Sequence, residues 1–162
     1  MNAPLPDNET ERLRWLHESG ILDSPAEDAF DDLTQIACQV FGVPIAAITL
    51  IDEHRQWYKS QVGLAYPQTP RAVAFCAHTI LQTEVLAVFD ATQDARFADN
   101  PAVTGDEHFR FYAGAPLVTS EGFVLGSLCV IGTALRQLDT QQKAMLARQA
   151  ASRIELQRQI AL

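Results

Sequence analysis

Residues 44–62 read PIAAITLIDEHRQWYKSQV, and this stretch decides the fold class. The first half is apolar, rich in β-branched residues, and bounded by Pro44 and the polar run at 52–55, as a buried strand should be. The second half alternates, with Trp57, Lys59 and Gln61 on one side and Tyr58, Ser60 and Val62 on the other. Two such segments joined by a short polar turn predict an antiparallel hairpin.

Upstream, the apolar period becomes helical. Asn8 and Glu11 have capping-box spacing and Gly20 stands where a left-handed C-cap belongs, predicting a helix over 9–19. Ser24 as N-cap, Pro25 at the first helical position and Glu27 three residues after the cap predict a second start. From there Phe30, Leu33, Ile36, Ala37, Val40 and Phe41 form an apolar face that ends at Gly42 and Pro44.

Downstream, GLAYPQTPR (63–71) reads as a loop, FCAHTILQ (75–82) as a short helix and VLAVFD (85–90) as a strand. ATQDARFADNP (91–101) reads as loop with one helical turn. FRFYAGAPLV (109–118) and FVLGSLCVIG (123–132) are two strands joined by TSEG, and Asp139 with Gln142 opens a long last helix. Hairpin-linked strands with helices gathered at both ends predict an α+β fold: a mostly antiparallel sheet with helices packed on it. No composition break marks a second domain. Residues 1–162 are therefore read as one unit: 1–23 as an N-terminal helical segment, 24–135 as the core and 136–162 as a connector helix.

A 162-residue chain with 48% apolar residues can bury its own core. A net charge of −8 repels phosphate backbones and anionic lipid, which disfavours nucleic acid and membrane as partners. The first residues lack a basic and apolar leader, and no run is long enough to span a bilayer, so a soluble, cytoplasmic protein is expected. Cys38, Cys76 and Cys129 are odd in number and form no CxxC, which fits a reducing compartment.

Four segments in order carry a family resemblance: LHESGILDSPAEDAFDDLTQIACQVFGVPIAAITLIDEHRQWYKS, FCAHTIL, VFDATQDARFADNP and FRFYAGAPLVTSEGFVLGSLCVI. They resemble the GAF domains at the front of bacterial histidine kinases and diguanylate cyclases. The resemblance implies a central antiparallel sheet, terminal helices on one face and a ligand cavity on the other, roofed by 63–84 and 91–108. It implies a sensory, small-molecule-binding role in signal transduction, including two-component systems, with an output domain such as a kinase or cyclase. It leaves the ligand or cofactor unspecified.

Cys76 and His78 invite a catalytic or covalent role, but in a helix they lie about 200° apart and share no face. Bilin-binding relatives place a histidine directly after the cysteine, and CAH departs from that. The reductases of free methionine sulfoxide resemble this domain too, but Cys76 is the only cysteine in the roof region and lacks a resolving partner there. No catalytic residue is assigned, Cys38 and Cys129 read as core, and His54, His78 and His108 make no metal motif. The expected ligand-binding set is Trp57, Phe75, Cys76, His78, Thr79, Asp90, Phe97 and Tyr112: rings with a few directed polar groups. Asp90 has a second reading as the cap of the following turn. The Asn-Lys-Phe-Asp-Glu signature of cyclic-nucleotide-binding relatives is not traceable.

In the last helix Leu146, Ala147, Ala150, Ala151 and Ile154 form a narrow apolar stripe, to which the first helix adds Leu13 and Leu16. A parallel homodimer through the terminal helices is the expected assembly, with the last helix as connector to an output module. The alternatives are a redox enzyme resembling free methionine sulfoxide reductase and a ligand-free dimerisation module.

Overall fold

The computed structural model describes the backbone of residues 2–161, and side chains through residue 151. Two helices come first, α1 (Glu9–Ser19) and α2 (Asp28–Phe41), followed by the hairpin β1 (Ile45–Ile51) and β2 (Arg55–Val62). A short strand β3 (Gln68–Pro70) leads through a 3-10 turn, Arg71–Val73, into α3 (Cys76–Thr79). Then come β4 (Leu86–Val88), the turn Ala91–Gln93, α4 (Pro101–Thr104), β5 (Phe111–Val118), β6 (Val124–Gly132) and α5 (Thr140–Ala161). The strands make one antiparallel sheet in the order β3-β2-β1-β6-β5-β4. This is the expected α+β architecture.

Central strands β1 and β6 are buried along their whole length, which is why their sequences read as apolar runs without alternation. On one face Ala46, Ile48 and Leu50 pack with Phe111, Leu128 and Val130 against Leu16, Phe30, Leu33, Phe41, Leu146 and Ala150 of the three long helices. On the other face Ile45, Ala47, Tyr112, Cys129 and Ile131 meet Phe75, Ala77, Phe97, Val103 and Phe109 of the intervening segments. Each large side chain so buried contributes about 1.5–3 kcal/mol. Among the described residues no helix is long and apolar enough to cross a membrane.

Local signals were used in part. Gly20 and Gly42 adopt the left-handed conformation at the ends of α1 and α2. Asp139 and Gln142 form a reciprocal capping box: the Gln142 N–H donates to Asp139 Oδ1 (2.8 Å) and the Asp139 N–H to Gln142 Oε1 (3.0 Å).

Two expected caps do not form. Asn8 makes no side-chain cap bond, and α2 starts at Asp28 rather than after Ser24. The cause of the second is Lys59, whose Nζ is buried and needs acceptors. It donates to Ser24 Oγ (2.7 Å), the Pro25 carbonyl (2.6 Å) and Glu27 Oε2 (2.6 Å), which spreads 24–27 around the ammonium.

The alternation of β2 also breaks. Ile48 pairs with Ser60 but Thr49 with Tyr58, so Lys59 is an extra residue in a bulge. Ser60 consequently joins Trp57 and Lys59 on the helix side, where its hydroxyl donates to Asp31 Oδ1 (2.6 Å) and meets Thr34 Oγ1 (2.9 Å). Strand β3 was not anticipated. It lies within 63–71, where Pro67 and Pro70 signal loop, and Pro70 is tolerated because β3 is an edge strand.

The stripe on α5 divides. Leu146 and Ala150 are fully buried on the chain's own sheet, whereas Ala147 and Ala151 are exposed. Leu16 is likewise core. Apolar surface assigned to a second copy is thus partly consumed within one chain, and the Ile154 side chain lies outside the described residues.

Candidate functional site

The sheet face opposite the long helices carries a cavity of about 290 Å3. Its floor is Ala47 and Thr49 of β1, Tyr58 of β2, Tyr112 of β5, and Cys129 and Ile131 of β6. Thr69 and Pro70 of β3, with Val73, form one wall, and the other is built from Asn100, Pro101 and Ala102 with Phe109. Phe75 and Cys76 close it from α3. Hairpin register selects Tyr58: the turn pairs Ile51 with Gln56, Leu50 with Trp57 and Thr49 with Tyr58, so Tyr58 shares the Thr49 face.

Aromatic stacking holds the roof. Phe75 stacks on Phe97 with centroids 4.3 Å apart, meets Tyr112 at 5.3 Å and sits edge-on to Phe109 at 6.2 Å. His78 lies edge-on to Phe97 at 4.9 Å. Asn100 caps α4 by accepting the Ala102 N–H (2.9 Å) and donates its amide to the Val73 carbonyl (2.8 Å), tying two roof segments together. The Tyr112 hydroxyl bonds Thr79 Oγ1 (2.6 Å) and contacts Cys76 Sγ (3.2 Å). It can lie against the sheet because position 114 is glycine: a Cβ there would overlap the Tyr112 hydroxyl.

Among the described residues the lining contains Glu107 and no Lys, Arg or His. Glu107 Oε2 accepts the Tyr66 hydroxyl (2.6 Å), and burial together with that carboxylate pushes the Tyr66 phenol up. Burial raises Tyr58 in the same way, so both rings offer neutral hydroxyls. Gln56 donates its amide to the Tyr58 hydroxyl and to Thr69 Oγ1, both at 3.2 Å, while its buried Oε1 has no hydrogen-bond partner among the described residues. A desolvated anion would find no counter-charge in this lining, whereas an uncharged ring or a cation would meet rings, hydroxyls and one carboxylate.

Of the expected set, Phe75, Cys76 and Tyr112 line the cavity. His78, Thr79 and Phe97 stand behind it in the roof. Asp90 caps the turn at Ala91–Gln93, its Oδ1 accepting the Thr92 N–H (3.0 Å) and hydroxyl (2.6 Å). Trp57 is on the opposite face, packed against the helix-side core, so it drops out of the candidate site. Tyr58, Tyr66, Gln56, Asn100, Glu107 and Cys129 were missed; for Tyr58 the signal was available in the register of the 52–55 turn. Cys129 is core as expected, but on the cavity face, where its thiol is within hydrogen-bonding reach of Cys76. The roof cysteine therefore has a thiol neighbour, from the floor. Among the described residues no group of three or more His, Cys, Asp and Glu is placed to hold a metal ion.

A family model for the GAF domain matches residues 25–157. The chain belongs to the GAF family. A cyclic di-GMP phosphodiesterase of Pseudomonas aeruginosa is 47% identical to this GAF domain over 128 residues, covering 79% of the chain but only 22% of that relative. Among solved structures, the GAF domain of an Acinetobacter phosphoenolpyruvate-protein phosphotransferase superposes with a TM-score of 0.68 at 16% identity, covering 96% of each chain. Free methionine-R-sulfoxide reductase from Neisseria meningitidis, solved with its substrate, gives 0.64 at 18% identity and 99% coverage of both chains. At these identities the two structures establish the GAF fold and nothing about chemistry.

Proposed function

We propose that this GAF domain is the regulatory input of a cytoplasmic signalling protein, which takes up a small uncharged or cationic ring compound and passes its presence to an output module. The observation that carries this reading is the cavity: about 290 Å3, walled by rings, neutral polar groups and one carboxylate, with no cationic side chain among the described lining residues. That volume is at the lower edge of the range for small-molecule pockets. The role is read as regulatory rather than catalytic; the similarity to a cyclic di-GMP phosphodiesterase supports an enzyme of nucleotide-messenger turnover as output, with a kinase or a cyclase as the other output proposed.

A route from cavity to terminus supports the same reading. Arg71 follows the wall strand β3 and reaches Glu9 of α1, and Glu9 also holds Arg12, which is fully buried and donates to the Ile51 carbonyl (2.7 Å). A ligand that favours one wall position over another acts through its differential affinity for the two. A homodimer through the terminal helices is part of this proposal, using the exposed Ala147 and Ala151 face of α5.

Thermal-shift screening with native mass spectrometry tests the reading. An uncharged or cationic heterocycle should stabilise by about 2.7 kcal/mol at a hundredfold excess over its Kd, and cyclic nucleotides should not. Stabilisation by phosphate-bearing ligands alone would overturn the charge argument. Failure of every class would leave the ligand-free dimerisation module as the reading.

A further inference from the structure

Cys76 opens α3 in the roof and Cys129 lies on the floor strand β6; both line the cavity. Two contacts locate the Cys76 sulfur over Cys129. Ser127, two residues before Cys129 on the same face of β6, donates its hydroxyl to Cys76 Sγ at 2.9 Å. The Tyr112 hydroxyl, 3.2 Å from the same sulfur, lies over Gly114, and Gly114 is the cross-strand partner of Cys129. We propose that Cys76 and Cys129 are a redox pair, and that a small hydroperoxide entering the cavity closes a disulfide between roof and floor.

The environment divides the roles. Burial pushes the Cys76 thiol up, but the donors around it, Cys129, Ser127, Thr49 and Tyr112, outweigh burial and bring it down to about 7. The Cys129 thiol is held well above its ordinary 9.0 by the Cys76 sulfur and by burial. Ser127 Oγ at 2.9 Å and the Tyr112 hydroxyl at 3.2 Å are both placed to stabilise a thiolate on Cys76, so Cys76 is the attacking thiolate and Cys129 the resolving thiol. The Cys76 sulfur attacks one peroxide oxygen, the O–O bond breaks, and the other oxygen leaves with a proton as water or alcohol, giving a sulfenic acid on Cys76. The Cys129 sulfur then attacks Cys76 and the hydroxyl departs with the Cys129 proton as water. Two thiols lose two electrons and two protons, and the hydroperoxide is reduced to an alcohol and water. Cys38 sits on the helix side of the sheet, its thiol raised by burial, and stays out of this chemistry. The step needs no ligand in the cavity, so it stands or falls apart from the ligand-sensing reading.

The test is treatment of the folded chain with hydrogen peroxide, denaturation in an alkylating agent, and peptide mapping by mass spectrometry. The expected product has lost two hydrogens, carries alkylation at Cys38 alone, and yields a Cys76–Cys129 cross-linked peptide that dithiothreitol dissolves. Cys129→Ser should trap an extra oxygen on Cys76 that reacts with dimedone, and Cys76→Ser should leave Cys129 unoxidised. Retention of three alkylatable thiols in the wild type, or a disulfide through Cys38, overturns the proposal. Should either variant fail to fold by circular dichroism, the wild-type peptide map still decides.

Discussion

Arg71 and Glu9 form a two-pronged ion pair, Nη1 to Oε2 at 2.6 Å and Nη2 to Oε1 at 3.2 Å, that joins the cavity wall to the first helix. The Glu9 carboxylate also accepts Arg12 Nε at 3.0 Å. Burial raises the Glu9 carboxyl, but Arg71 and Arg12 outweigh it and hold it below its ordinary 4.5. Asp52 is held below 3.8, with burial opposed by His17, the Glu53 N–H and Arg55. Carboxyls depressed in the fold contribute stability that is complete above their unfolded values and lost as pH falls through the folded ones. The urea midpoint should therefore be flat down to about pH 5 and fall below it. Glu9→Gln should cost about 2–3 kcal/mol, between an exposed and a fully buried pair, and should flatten that acid limb. An unchanged acid limb in Glu9→Gln would remove Glu9 from the account.

Tyr112→Phe removes one hydroxyl from two buried partners, Thr79 Oγ1 and Cys76 Sγ. Thr79 would be left unpaired in an apolar roof, so a loss of about 1–3 kcal/mol is expected in denaturant unfolding. Gly114→Ala should destabilise by about 1–3 kcal/mol for a steric reason, since its Cβ would overlap that same hydroxyl. Because both act at one contact, the double variant Tyr112→Phe/Gly114→Ala should cost less than the two singles together. Simple additivity would mean the contact is not shared.

Leu146 and Ala147 are adjacent on α5 but differ in fate. Leu146→Ala should cost about 2–5 kcal/mol, as a core truncation does, without altering association. Ala147→Glu with Ala151→Glu should leave folding intact and weaken the proposed dimer in light scattering, because charge would have to be desolvated at the contact. A wild type that is monomeric at tens of micromolar would assign α5 wholly to its own sheet.

Free methionine sulfoxide carries a carboxylate, and among the described residues the cavity lining offers it no cation. No turnover of this compound is expected from the wild type in a thiol-coupled assay, despite the shared fold. Turnover that vanishes in Cys76→Ser would replace the regulatory reading with a catalytic one.

Legibility followed the range of the interactions involved. PIAAITLI and FVLGSLCVIG read as strands because burial on both faces leaves one composition throughout. Gly20, Gly42 and the Asp139–Gln142 box marked helix boundaries through contacts a few residues long. Where a distant partner intervened, the local signal misled. Lys59 drew Ser24 away from a capping role, and the bulge at Lys59 put Ser60 on the same face as Trp57.

The amino-acid sequence by itself determined the order and type of the main elements, the two-faced burial of the sheet and the family. These follow from periodicity, turn residues and caps, which act over one or two turns of chain. Only the tertiary structure decided which groups meet at the cavity. Tyr58 rather than Trp57 faces it because strand register places Tyr58 opposite Thr49, and Cys129 lies beneath Cys76 because β6 pairs with β5 at Gly114. Such encounters between residues far apart in the chain depend on the packing of the whole sheet, and no local pattern encodes them.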